Sequence, residues 1–385
     1  MPEISQRYTV NLMTLSPLHI GSGRELLRDY DYAVHQGRTW RIDEDKLLDA
    51  ALGQDPGEWD EAILRQPAAD LLQPGDYKAG SDLFRYVAHG APRSKKKGAH
   101  LREQIKDAWD RPYLPGSSLK GALRTLLAEI ILAIAKQPVR VNYQQNRRGR
   151  YQPKRAGNFI EADAFRPAMA QDKRKNNPNH DLLRAFKVAD SAPLELNDAL
   201  TVVNAQVITP KNSGSPVEME AVRRGVTFKG TIQLDRYLFG QQAERKLQFG
   251  SRNRQILQQL PKLSQTVIGR AIAAEADAYL NLNAPQVRAF YGGLVRLLTK
   301  ELAPDEFLMR VGWGTGWSDK TLGDRMSPDE QFTARQRFNL GRPPGARDWK
   351  PRRDQAFPTS RRVAMRDGQP WLPLGWLRVK MTLEE

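Results

Sequence analysis

Cysteine is absent from the sequence. That excludes disulfides, thiolate catalysis, and zinc ribbons or knuckles. Histidine is scarce: His19, His35, His89, His100 and His180 are scattered, without HxxxH or HxH spacing, so no metal site and no cofactor are expected. Long apolar runs are missing too. The most apolar stretch, Leu119 to Ala135, is interrupted by Lys120, Arg124 and Glu129, and it reads as a core helix rather than a membrane span. The opening MPEISQRYTV has no signal-peptide pattern, so the expected location is cytoplasmic, without a membrane partner. Acid is in short supply. Against 60 Lys and Arg there are 44 Asp and Glu, giving a net charge of +16. A surplus of this size points to a polyanionic partner, nucleic acid first. It is concentrated in two places: Arg140 to Lys187 holds twelve basic and four acidic residues, and Arg335 to Arg353 seven and one.

The stretch YLPGSSLKGALRTLL, Tyr113 to Leu127, opens the apolar helix. Pro115 and Gly116 make a turn, and Ser117 or Ser118 is placed to cap the first free amides. Lys120 and Arg124 share a face near that end, where free N–H groups and the helix dipole favour an anion. Two solvated cations on a capped core helix would read the same way locally. Upstream, Tyr8, Val10, Leu12 and Leu15 alternate as in a strand that ends at Gly21 and Gly23. RTWRIDEDKLLDALG predicts a strand and then a helix capped by Asp43. Residues 53–112 read as an insertion of helical fragments and loops.

Residues 140–183 are polar, basic and poor in aliphatics, the composition of a mobile excursion. Arg147, Arg148 and Arg150 in it are candidate RNA-binding residues, and Tyr143, Tyr151 and Phe159 interleave the cations in a pattern suited to stacking on unpaired bases. Strands resume at RAFKVADS and LTVVNAQVI. EMEAVRRGVTFKGTIQLDRY predicts two paired strands joined at Arg224-Gly225. Helices follow at about 252–280 and 284–302, then a strand ending in GWGTGW, then two strands about an Asp367-Gly368 turn. Neither half alternates strand and helix as a Rossmann fold or TIM barrel does. The expected class is α+β: two ferredoxin-like, RRM-like domains with antiparallel sheets, one over 1–139 and one over 184–385.

Three glycine-bearing turns could bring backbone amides to a phosphate: Gly21-Ser22-Gly23, Gly116-Ser117-Ser118, and Gly312 to Trp317. None matches GxxxxGK(S/T) or GxGxxG, so a nucleotide fold is not indicated. Trp313 and Trp317 more often belong to a core than to a stacking site. His19 is the only histidine beside such a turn, and a lone histidine there is more often structural than catalytic. Asp29, Asp31 and the acids of DEDK (Asp43 to Lys46) read as turn and cap residues. No catalytic set stands out.

Taken in order, LSPLHIGSG, YLPGSSLKGALRTLL, RRGVTFKGTI, RVGWGTGW and FPTSRRV…PLGWLRV resemble the RAMP superfamily of CRISPR proteins, and more narrowly the fifth-subunit family of Csm (type III-A) effector complexes. The motifs run from Thr14 to Val379, with the 53–112 and 140–180 excursions outside them. The resemblance implies a non-catalytic subunit that caps the complex backbone at the 3′ region of the crRNA and supports 3′-end maturation and antiviral defence. It implies RNA-facing positions at His19, Gly21 and Ser22; at Ser117, Ser118, Lys120 and Arg124; at Gly314, Thr315 and Gly316; and at Arg361 and Arg362. Implied partners are crRNA and adjacent Csm subunits, with target RNA and a host trimming nuclease as further candidates. The competing expectation is a RAMP-type, metal-independent endoribonuclease for precursor crRNA, with His19 as its acid–base group.

Overall fold

The computed structural model describes residues 5–52, 66–169, 177–196, 199–210, 214–343, 345–346, 348–355 and 357–384. The first strand shows the period-2 rule: β1 (Ser5–Thr14) buries Tyr8, Val10, Leu12 and Thr14, while the residues between them are partly exposed. The next three strands are β2 (Gly21–Leu27), β3 (Tyr32–His35) and β4 (Arg38–Ile42). After them come β5 (Phe84–His89), β6 (His100–Gln104), β7 (Phe186–Val188), β8 (Leu200–Ile208) and β9 (Val217–Val222). The last five are β10 (Thr227–Asp235), β11 (Glu306–Arg310), β12 (Arg361–Arg366), β13 (Gln369–Pro373) and β14 (Trp376–Leu383).

They form two sheets. The first is antiparallel, in the order β11-β14-β1-β10-β7. The second runs β2-β6-β9-β8-β5-β4-β3, and β12 joins it along β8 and carries β13. Two of its contacts are parallel, β5 with β8 and β6 with β9. The class is therefore α+β with two mixed or antiparallel sheets, as expected for a pair of ferredoxin-like units.

The helices are α1 (Glu44–Leu52), α2 (Gly116–Ile134), α3 (Asn158–Phe165), α4 (Gln241–Leu247) and α5 (Gly250–Gln258), then α6 (Leu260–Ala278), α7 (Pro285–Arg296), α8 (Trp317–Lys320) and α9 (Pro328–Phe338). The apolar face of α2 enters the main core through Leu119, Leu123, Leu127, Ile130 and Ile131, against Leu12, Phe228 and Phe307 of the first sheet. Each such side chain contributes roughly 1.5–3 kcal/mol when fully buried. Gly116 is needed where α2 starts, because a Cβ there would lie 2.5 Å from the Val188 carbonyl oxygen. Helices α6 and α7 pack a second core around Ile272, Tyr291, Leu308 and Trp376. Among the described residues no helix is long and apolar enough to cross a membrane.

Four expectations need correction. The strands on either side of Arg224-Gly225 do not pair: β9 lies beside β8, and β10 lies beside β1. The turn carries the chain from one sheet to the other, and Thr14 holds it by donating its hydroxyl to the Arg223 carbonyl at 2.5 Å. Each sheet draws strands from both sides of residues 140–183, so the sheets do not correspond to 1–139 and 184–385. The 53–112 insertion contributes β5 and β6; its residues 53–65 lie outside the described ones. The described parts of 140–183 are not a detached excursion. Phe165, Leu182 and Leu183 are buried in the main core, and Tyr143 stacks on Phe338 of α9 with ring centroids 5.6 Å apart.

Candidate nucleic-acid interface

The sheets meet where three segments cross. Leu15 donates to the Trp376 carbonyl at 2.8 Å, Gly375 to the Pro17 carbonyl at 2.8 Å, and Trp313 to the His19 carbonyl at 2.8 Å. Only glycine fits at 312: its φ is +90°, and a Cβ would sit 2.5 Å from the His19 carbonyl oxygen. These contacts set the Gly312–Gly316 loop opposite the first turns of α2. Between them lies a cleft of about 490 Å³, lined among others by Gly21, Ser118, Gly121, Gly312, Trp313 and Lys320. The three glycine-bearing turns, nearly 300 residues apart in sequence at their extremes, thus border one space.

The cleft is cationic. Lys320 is exposed at its rim, and its ammonium is held below the ordinary lysine range, first by partial burial and then by Arg362 and Arg310. Arg310 is buried at the base. It donates to the Leu374 carbonyl at 3.0 Å and to Asp319 at 2.5 Å, so its charge is matched internally. Past Trp313 the surface continues into a hollow of about 240 Å³ bordered by Arg102 and Arg362.

Several positions expected to face RNA are engaged within the protein. Ser117 and Ser118 do not cap α2: Pro115 is the N-cap residue and no side chain caps there. The anion at the helix start is Asp190, whose carboxylate accepts from the Gly116 amide at 2.6 Å. Lys120 donates to the Leu183 carbonyl at 2.8 Å. Arg124 pairs with Glu161 and with Asp181, the latter at 2.6 Å, and lies over the Phe165 ring. The anion seat read at Lys120 and Arg124 is therefore filled by carboxylates and a carbonyl distant in sequence. Arg361 donates to Glu275 at 2.9 Å, while Arg362, on the opposite side of β12, is exposed. Thr315 and Gly314 are buried, and Gly316 is exposed.

His19 is 2% exposed, so it does not face solvent. Its Nδ1 lies 2.6 Å from the Glu220 carbonyl oxygen, and burial pushes the imidazole down to about 4, leaving it neutral near pH 7. Gly21 and Ser22 are exposed at the start of β2, with the Ser22 hydroxyl donating to Glu103 at 2.7 Å. Arg147, Arg148 and Arg150 are exposed on a separate tight turn. There the Asn146 side chain accepts from the amides of Arg148 at 2.9 Å and Arg150 at 3.0 Å. The nearby Tyr143 and Tyr151 rings pack on Phe338 and are not open stacking surfaces.

Sequence reasoning did not reach Arg102, Lys320 or Asp190, because nothing local distinguishes them from other polar residues. Among the described residues no group of three or more His, Asp or Glu could hold a metal ion.

The profile of the RAMP superfamily matches residues 11–317. The chain is 28% identical over 253 residues to the Mycobacterium tuberculosis protein named CRISPR system Cms protein Csm5, covering 59% of this chain and 66% of that protein, just under two thirds of its length. It is 25% identical over 404 residues to the protein of the same name from Methanocaldococcus jannaschii, covering 96% of this chain and 88% of that one. In fold it is similar to a chain of a Csm–crRNA–target RNA ternary complex of a type III-A CRISPR-Cas system solved by cryo-electron microscopy: TM-score 0.65, 24% identity, 99% of this chain and 100% of that chain covered. It is also similar to the crystal structure of T. onnurineus Csm5, with TM-score 0.53, 24% identity, and 95% and 99% covered.

Proposed function

The chain belongs to the RAMP superfamily, and from that premise we propose that it is the crRNA-binding, non-catalytic Csm5-type subunit of a type III-A Csm complex, capping the backbone at the 3′ region of the crRNA and supporting 3′-end maturation. One observation carries this reading. The Gly21, Ser118 and Gly312–Thr315 elements border a single cleft with Lys320 on its rim and Arg362 within electrostatic reach. Backbone amides and cations at one groove suit phosphates, and phosphate contacts position RNA without reading its sequence. Similarity to proteins named Csm5, and in fold to a chain of a Csm–crRNA–target RNA complex, supports crRNA and neighbouring Csm subunits as partners; target RNA and a trimming nuclease at the 3′ end are further candidates under this reading.

The processing-enzyme reading is disfavoured at its candidate acid–base group, since His19 is buried and its Nδ1 lies against the Glu220 carbonyl oxygen. The test mixes purified protein with an end-labelled crRNA intermediate across a salt series, with EDTA or magnesium. Retention that falls steeply with salt while the RNA stays intact supports the reading, with a slope of roughly −0.7 per phosphate contacted. Discrete cleavage in EDTA that vanishes in His19→Ala overturns it.

A further inference from the structure

Trp313 is held by its backbone at the sheet crossing, and two arginines converge on its ring. The Arg102 guanidinium carbon lies 5.4 Å from the ring centroid and that of Arg362 4.8 Å. These residues come from β6, the glycine loop and β12, so the grouping is tertiary. Two like charges gathered at one indole repel each other and want an anion between or beside them. Glu25 stands 3.7 Å from Arg102 and is shared with His100 at 2.7 Å. Among the described residues no carboxylate pairs with Arg362. The hollow they border, about 240 Å³, also presents Gln206 and Ser215. An amide and a hydroxyl each donate and accept, so they can meet the edge of any base.

The pattern occurs twice on this sheet. Trp371 of β13 packs on the same apolar cluster as Trp313, made by Val203, Ala205, Met219, Ala364 and Leu374. The Arg366 guanidinium lies 3.6 Å from its ring centroid. Two tryptophans lying on one sheet face, each with arginine over the ring, match how unpaired nucleotides are held, with bases stacking on aromatic or guanidinium planes and cations meeting the phosphates. Helical RNA keeps its bases stacked inside and cannot use such a surface.

We propose that Trp313, with Arg102 and Arg362, is a stacking site for an unpaired RNA nucleotide, and that Trp371 with Arg366 is a second step of the same single-stranded track. This rests on the RNA-binding reading above and deepens it: the RNA in contact is single-stranded, and the contact is sequence-tolerant.

The probes are an oligouridylate of about a dozen nucleotides, within the span one such binding surface covers, and a blunt RNA duplex of similar strand length. Full-length protein is compared with Trp313→Phe, Trp313→Leu and the Arg102→Gln/Arg362→Gln pair, reading affinity and tryptophan fluorescence. The expected result is preference for the single strand and quenching on binding. Trp313→Phe retains affinity, and Trp313→Leu and the arginine pair each lose roughly tenfold, the scale of one lost stack. The arginine pair leaves the indole in place, so it remains informative if Trp313→Leu fails to fold. Single-strand binding equal to wild type in both leucine and arginine variants, with quenching intact, overturns the site and leaves the RNA-binding reading standing. Equal affinity for the duplex also overturns it. No binding of either RNA, nor of a crRNA intermediate, by wild type overturns the reading itself.

Discussion

Arg124 of α2 holds Asp181 at 2.6 Å, and that pair fastens the helix to residues that return after the basic stretch beginning at Arg140. Glu161 of α3 shares the same guanidinium, and Arg166 stands 3.8 Å from Asp181. Lys120 adds a tie to the Leu183 carbonyl at 2.8 Å. The two cations most suggestive of phosphate binding thus act as clamps. Removing a partly buried partner leaves Glu161 and Asp181 facing each other with less compensation. Arg124→Ala is expected to lower unfolding stability by about 2–3 kcal/mol, measured by urea denaturation, while the salt slope of RNA binding stays unchanged. A slope reduced by a full phosphate, with stability intact, would return Arg124 to the RNA surface.

The glycines of the 312–316 loop are not equivalent. At Gly312 a Cβ would meet the His19 carbonyl oxygen at 2.5 Å and Leu18 at 3.0 Å. At Gly316 the φ is similarly positive, +89°, but nothing lies within 4 Å. Gly316→Ala then costs only the backbone term, about 1–3 kcal/mol for a positive φ combined with the ψ of −166° found here. Gly312→Ala adds a clash with backbone that cannot move without opening the sheet crossing, and its denaturation midpoint should fall clearly further. Equal midpoints for the two variants would refute the packing account.

Local signals in the sequence disclosed elements, while partners over long distances stayed hidden. Leu119, Leu123, Leu127 and Ile130 repeat at helical spacing, and α2 is where that spacing puts it. The β12–β13 hairpin follows from Asp367-Gly368, both with positive φ. Arg224-Gly225 reads as the same kind of turn, yet the flanking strands part, because strand pairing is decided by β1 and β8 far away in sequence. The site behaves alike. The glycine turns were legible as flexible backbone, and their shared cleft was not. Asp190, Glu161 and Asp181 neutralise the start of α2 from positions that no local spacing connects to it. The flanking glycines leave Trp313 open to either a core or a stacking role; it is half-buried, packed against an apolar cluster with arginines at its ring.

Burial of His19 makes stability depend on pH. Its imidazole titrates at about 4 in the folded protein, against an ordinary 6.5. The unfolded chain therefore binds the proton first as pH falls, so the stability held by the neutral ring is complete above about 6.5 and is lost down to about 4. The full loss is about 3 kcal/mol at most. His19→Gln keeps a hydrogen-bonding amide but cannot titrate. Across that window the stability difference between wild type and His19→Gln should change in one direction, with wild type gaining as pH rises. A flat difference in thermal or urea midpoints would mean that the ring is already solvated in the fold.

The three arginines at 147, 148 and 150 invite the opposite expectation from Arg124. All are exposed, and the turn that carries them is shaped by Asn146, whose backbone amide donates to the Arg150 carbonyl at 2.8 Å. Its base is fixed at α9, where the Tyr143 hydroxyl donates to Glu330 at 2.9 Å and Tyr151 packs edge-on against Phe338. The guanidiniums therefore sit at the end of a supported arm, contributing charge without packing. Replacing all three with glutamine should leave stability within about 0.5 kcal/mol. If each meets a phosphate, the logarithmic salt slope for single-stranded RNA should fall by roughly 2 in magnitude. Affinity should then converge with wild type at high salt, where released counterions no longer help. An unchanged slope would remove this arm from the RNA surface, and only a defect of the same triple variant in assembly with Csm subunits would then assign it to a protein neighbour.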